Sequence, residues 1–239
     1  MTELFQQARQ NASFLVACIV IAALMIAAAK LAERFLPSRR KLSPARRVST
    51  IGMCAAIATV LYMIDFPVPF IAPPFYKLDF SEIPVMFCGF FLGPSAGIIC
   101  RALKVILKIF LKGTTTAFVG DLANFVVGCA FVLPAVIVYH AGKSKKSAIW
   151  GMILGTAVMA IFGSAFNAVY LIPKFSELFE LPLEAIIGMG QAIHGSIDDV
   201  YSLAALCVAP LNIVKGIMIT ILTLLLYKHV EKPLLKNAK

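Results

Sequence analysis

Lys77-Leu78-Asp79-Phe80-Ser81-Glu82-Ile83-Pro84, running on to Gly93-Pro94-Ser95-Ala96-Gly97, is the stretch on which the reading of the fold turns. It sets charges and helix breakers between apolar runs. The chain around it has 239 residues, 60% of them hydrophobic and only 14% charged, with a mean hydropathy of +0.90. A soluble domain carries about 25% charged residues, and this chain has too little polar surface to cover a soluble core. The composition therefore points to an all-α, polytopic helical membrane protein, and 77–97 is an interruption that such a protein must accommodate.

Upstream, an apolar run over about 12–35 has the length of about 20 residues that a bilayer core requires. Its alanines, Ala22-Ala23 and Ala27-Ala28-Ala29, permit close backbone approach. It reads as an extra transmembrane helix and not as a cleaved signal, because nothing downstream behaves as a mature soluble domain. Pro37 and the basic patch at 39–47 stop it. A second helix is predicted over about 48–66, where Gly52 with Ala56, and Ala55 with Thr59, are small-residue pairs one turn apart, suited to close helix packing or to docking. Four prolines then fall in eight residues, Pro67, Pro69, Pro73 and Pro74, among aromatic neighbours. Such a segment forbids regular helix and needs protein beneath it or a cavity to line. A lid over a pocket is the reading, with a stiff loop as the alternative.

Downstream of the break, 82–92 and 95–111 read as two short or tilted helices joined at Gly93-Pro94, or as one re-entrant hairpin. Arg101, Lys104 and Lys108 recur at helical spacing and form a basic stripe. A polar connection at 112–120 leads to a helix at 121–140, with Asp121 as its predicted N-cap. Further helices are predicted at 148–171, ending at Pro173, and at 203–228, with a surface helix at 183–194 inside an acidic connection. The basic turns 37–47, 141–147 and 228–239 all fall on one side of this topology. The positive-inside rule then puts the N-terminus outside and the C-terminus in the cytoplasm. The domain layout is an N-terminal helix and turn at 1–47, a membrane domain at 48–230 and a basic tail at 231–239.

The net charge of +10 does not imply nucleic-acid binding, because the charges bunch at the ends of apolar runs, where they face anionic lipid. The six cysteines sit in apolar runs with no CxxC spacing, which argues against a disulfide framework or a metal site. No P-loop, HExxH or nucleophile elbow occurs, and Ser196 with His194 and Asp198 has no motif support. No catalytic residues, metal or cofactor are expected, and the protein is not read as an enzyme. Polar side chains within or at the ends of the apolar runs stand out instead: Asp121 with Asn124, Asn167 with Tyr170, Asn212 with Lys215. A charge in mid-span costs roughly 2.5–3.5 kcal/mol, so such groups pair with each other or line a polar cavity. Interhelical hydrogen bonds would account for any one of them. Three helices each supplying an amide beneath an aromatic cap favour a pocket for a flat heteroaromatic with a polar tail.

Over about 48–230 the chain resembles the substrate-binding S components of riboflavin transporters in the energy-coupling factor (ECF) class. The pieces that carry the resemblance are Lys77 to Pro84, Gly93 to Gly97, Gly120-Asp121-Leu122-Ala123-Asn124-Phe125 with Gly128, the Asn167-to-Pro173 helix end, and Pro210-Leu211-Asn212-Ile213-Val214-Lys215-Gly216. The resemblance implies a six-helix core that takes up riboflavin from outside, under the loop after its first helix, and performs no chemistry. It implies partners as well: a transmembrane coupling subunit and two cytoplasmic ATPases, whose ATP hydrolysis topples the subunit to release the vitamin inside. By motif, the ligand-holding residues are Asn124, Asn167, Asn212 and Lys215, with Asp79, Asp121 and Tyr170 beside them. Gly52 and Ala56 match the docking face. An S component for another vitamin or flavin analogue, or a standalone secondary transporter, is the alternative; the latter predicts an inverted repeat, and none is evident.

Overall fold

A computed structural model describes residues 12–36, 43–114 and 116–236. The basic residues Arg39, Arg40 and Lys41, the Pro37 stop and Lys239 lie outside the described residues. Among the described residues the regular structure is helical apart from one short hairpin. Helix α1 spans Ala12–Arg34 and α2 spans Pro44–Met63, opened by Ser43, whose Oγ accepts from the Arg46 N–H at 3.4 Å, with Pro44 in the first turn. Pro at that position costs nothing, because its missing donor would be unpaired anyway.

The proline-rich break is a lid tied at its base. Strand β1 (Phe66–Pro67) pairs antiparallel with β2 (Lys77–Leu78). The prolines limit this pairing to two residues on each side. Between the strands, Val68 and Ala72 are buried in an apolar cluster with Leu78, Ile172, Ile186 and Ile197, so the non-helical backbone does rest on protein.

Helices α3 (Glu82–Leu92) and α4 (Pro94–Lys112) are separate, joined at Gly93. Gly93 has φ 105°, a left-handed conformation that glycine adopts without steric cost, and its N–H caps the Gly89 carbonyl at 2.7 Å. Nearly every residue of α3 is buried. Helix α4 buries its basic face: Arg101 is 1% exposed and Lys104 is fully enclosed.

Helix α5 (Val119–Gly142) packs along α6 (Lys145–Phe166). Gly151 and Gly155 make this contact, since a Cβ at either would meet the carbonyls of Ala135 and Phe131. Asp121 is not the N-cap of α5. Phe118 occupies that position at φ 72°, and the capping is done by Thr114 Oγ1, which accepts from the Phe118 N–H, and by Thr116 Oγ1, which accepts from the Gly120 N–H, both at 3.0 Å. Nor does Pro173 end the next helix. A π turn at Asn167–Leu171 follows α6 and continues into α7 (Ile172–Leu178). The wider turn shifts the bonding register just where proline cannot donate to the normal i−4 carbonyl. After α8 (Leu183–Gln191), a last helix runs from α9 (Val200–Leu203) through a second π turn (Ala204–Val208) into α10 (Ala209–Lys236), starting earlier and ending later than the apolar run alone indicates.

Among the described residues three helical segments are long and apolar enough to cross a membrane, Val119–Gly142, Lys145–Leu178 and Val200–Tyr227. At 1.5 Å rise per residue, the shortest, of 24 residues, spans about 36 Å, enough for a bilayer core of about 30 Å. Helix α1 packs on α4 and α5. At the end of α4 that faces away from the hairpin, Glu33 of α1 accepts from the Ser95 N–H at 2.9 Å and Oγ at 2.8 Å, and Arg47 of α2 donates to the same Oγ at 3.0 Å.

Candidate ligand site

At the hairpin end of the molecule a cavity of about 270 Å³ opens between the lid, α4, α5, the first π turn and α10. Six of the seven side chains singled out from sequence line it: Asp79, Asp121, Asn124, Asn167, Asn212 and Lys215. Tyr170 does not. It lies in a small cluster with Val119, Ala123 and Leu171, its ring 5.3 Å from that of Phe166. The π turn rotates Asn167 inward and leaves Tyr170 off the cavity wall. Gly52 and Ala56 lie far from the site's chemistry, on the exposed face of α2 beside Met53, Ile57 and Val60.

The floor is a chain of charges, each held by a partner distant in sequence. Lys215 Nζ donates to Asp79 Oδ2 at 2.8 Å. Asp79 Oδ1 accepts from the Ser81 N–H at 2.9 Å and from the Ser81 hydroxyl. That hydroxyl accepts in turn from Lys104 Nζ at 2.9 Å, and Lys104 also donates to Glu82 Oε1 at 3.0 Å. Arg101 closes the network, donating to Glu82 Oε2, to the Phe125 carbonyl at 3.0 Å and to Asn124 Oδ1 at 3.2 Å. Separately, Lys108 donates to Asp121 Oδ1 at 2.7 Å. Arg101, Lys104, Lys108 and Lys215 thus face Asp79, Glu82 and Asp121, four cations against three carboxylates. Burial opposes the ionisation of Asp79, but the ammonium groups of Lys215 and Lys104 outweigh it and hold the carboxyl below its usual range.

Buried charges stay charged only when paired this densely, because removing one partner strands the other in low dielectric. The network therefore presets the positions of Asn124 and Lys215. Gly128 makes room for it, since a Cβ there would overlap the Arg101 guanidinium. Gly163 does the same for Asn212, whose Nδ2 would sit 2.7 Å from such a Cβ.

The lid completes the site. Tyr76 donates its hydroxyl to Asn167 Oδ1 at 2.8 Å, while Asn167 Nδ2 donates to the Gly163 carbonyl at 2.7 Å. Burial pushes the Tyr76 phenol well above its usual range, so it remains a neutral donor. Phe75 packs on Tyr76 with ring centroids 4.5 Å apart. Tyr62 of α2 also lines the cavity and lies under Lys104 Nζ, 4.8 Å from its ring centroid. Two buried atoms stand out, because the Nδ2 of Asn212 and the Oδ2 of Asp121 have no hydrogen-bond partner among the described residues. One is a donor and the other an acceptor, on two residues that line the same cavity.

Tyr62, Tyr76, Arg101 and Lys108 were not identified as site residues from sequence, whereas Glu82 was expected at the pocket rim or its helix cap. The basic stripe on α4 carried the signal for Arg101 and Lys108: a stripe without matching acids on its own helix must find them elsewhere. Among the described residues no group of His, Cys, Asp or Glu is arranged to hold a metal ion.

Comparison with known proteins shows the family. Residues 46–227 match the family model for the ECF transporter substrate-specific component. The riboflavin transporter RibU of Staphylococcus aureus (strain TCH60) is 38% identical over 199 residues, covering 80% of this chain and 94% of the relative. The riboflavin transporter FmnP of Bacillus subtilis (strain 168) is 30% identical over 183 residues, covering 76% and 90%. Among solved structures, one described as the S component of a bacterial ECF transporter superposes with a TM-score of 0.62 at 37% identity, over 80% of this chain and 98% of that one. The chain belongs to the family of ECF transporter substrate-specific components.

Proposed function

We propose that this protein is the riboflavin-binding membrane subunit of an ECF-type uptake transporter. The observation that carries the reading is the pair of unpartnered buried atoms, Asn212 Nδ2 and Asp121 Oδ2, on two residues that line one cavity under an aromatic lid. Leaving such atoms unpaired costs about 1–3 kcal/mol each. A ligand with an acceptor and a donor on one flat edge removes that cost, as the dione edge of an isoalloxazine would. The names of the relatives support the choice of ring.

On this reading Asn124, Asn167, Asn212, Asp79, Asp121 and Lys215 hold the ligand and no residue is catalytic. Riboflavin is cargo and not a cofactor. The N-terminus lies outside and the C-terminus in the cytoplasm of the cell membrane, which places the cavity on the outer side and the Gly93 turn on the inner side. The coupling subunit docks on the exposed small-residue face of α2 at Gly52 and Ala56, and two cytoplasmic ATPases drive release. Residues 1–47 form an accessory helix and turn, 48–230 the binding domain and 231–239 a cytoplasmic tail.

Titrating the purified protein with riboflavin, thiamine and folate tests the assignment. Flavin fluorescence should be quenched at submicromolar riboflavin, while the other two vitamins leave the signal unchanged. Absence of riboflavin binding below micromolar concentration would refute it.

A further inference from the structure

A second cavity, of about 380 Å³, abuts the first at the hairpin end. Pro74 and Phe75 of the lid form one wall, and Phe175, Phe179, Ile186 and Met189 of α7 and α8 form the other. No polar side chain lines it. It shares two rings with the ligand cavity: Phe75 and Phe175 line both, and meet edge to face with centroids 6.3 Å apart. Phe179 continues the series 5.7 Å from Phe175. Phe179 is 47% exposed, and Met189 39%, whereas Ile186 at the base is buried. The chamber is thus open on one side, and two of its side chains also bound the ligand site.

We infer that this chamber is a transit subsite for the flat heteroaromatic ring of the ligand, occupied before the ring passes the Phe75–Phe175 pair into the polar cavity. The inference rests on the riboflavin reading above. Its occupant is the apolar, methylated edge of the isoalloxazine. Three phenylalanine rings at centroid spacings of 5.7 and 6.3 Å present faces and edges to a planar guest, and the inner cavity takes the opposite, hydrogen-bonding edge. Aromatic side chains rotate far more readily than the hairpin can unpair, so the Phe75–Phe175 pair can swing while the hairpin stays closed.

A block on an obligatory path slows entry and exit by the same factor and leaves affinity unchanged, because it raises one barrier seen from both sides. Met189→Cys provides an accessible thiol, whereas Cys54, Cys88, Cys100, Cys129 and Cys207 are buried. The purified, folded variant is treated with a bulky maleimide, with wild-type protein treated in parallel. Riboflavin association and dissociation are then followed by stopped-flow fluorescence quenching. Relative to unlabelled Met189→Cys, the labelled variant should lose at least about tenfold in both rates while its Kd stays within about twofold. Rates unaffected by the label would assign the chamber to lipid chains and overturn the inference. A change in only one rate, with a shifted Kd, would mean that the label disturbs the bound state, which overturns it equally. Failure of untreated wild-type protein to bind riboflavin would instead refute the ligand assignment.

Discussion

Replacing Asn212 by alanine separates ligand binding from folding in a way that few other changes in this cavity can. The Asn212 amide is 9% exposed, and its Nδ2 has no partner among the described residues. In the ligand-free protein this donor is a liability of about 1–3 kcal/mol. Its removal should therefore leave the apparent melting midpoint in detergent unchanged or slightly raised. In the complex the same donor pairs with a ligand acceptor, and deleting it strands that acceptor. The cost is again about 1–3 kcal/mol, or roughly 5- to 150-fold in Kd at 1.4 kcal/mol per decade. The two signs are opposite, and that is the test. Thermal unfolding without ligand and a riboflavin titration on the same preparation measure both. A lowered ligand-free midpoint would show that the amide is paired within the protein. An unchanged Kd would show that it does not touch the ligand. Either result would refute the reasoning.

Lys215→Ala should behave differently, because it strands the Asp79 carboxylate, which is 2% exposed; ligand-free stability should fall by about 3–5 kcal/mol along with affinity, and a midpoint equal to wild type would disprove the pairing. Gly128→Ala puts a methyl group on the Arg101 guanidinium and should cost about 1–3 kcal/mol by overpacking, with weaker riboflavin binding as Asn124 loses its partner; a neutral outcome in thermal unfolding would contradict the close approach. The depressed carboxyl of Asp79 contributes stability above its unfolded pKa that is lost as pH falls through the folded value. The difference in midpoint between wild type and Asp79→Asn should therefore hold steady from about pH 8 to about pH 5 and shrink only below about pH 4. Closure of that difference near neutrality would implicate another group. Ala56→Glu places a charge on the exposed face of α2 and should abolish uptake by cells while sparing riboflavin affinity in detergent; normal uptake would remove α2 as the docking face.

The membrane class, most helices and six of the proposed ligand residues were legible in the sequence. Apolar length, proline and glycine positions and amide placement act locally: a run long enough to cross a bilayer declares itself, and Gly93-Pro94 forces a turn wherever it stands. Sequence spacing also put Arg101, Lys104 and Lys108 on one face of a helix, but spacing cannot say what covers that face.

Only the tertiary structure decided that the face turns inward, because its partners come from elsewhere: Glu82 lies 19 residues from Arg101, and Asp79 lies 136 residues from Lys215. The same long-range demand took Asp121 from the capping role that its position invites and gave it to Lys108, leaving the cap to threonines. It also carried a helix through Pro173 by way of a π turn that brings Asn167 to the cavity and leaves Tyr170 outside. A buried charge or amide takes its meaning from whichever group satisfies it, and that group is chosen by packing and not by neighbours in the chain.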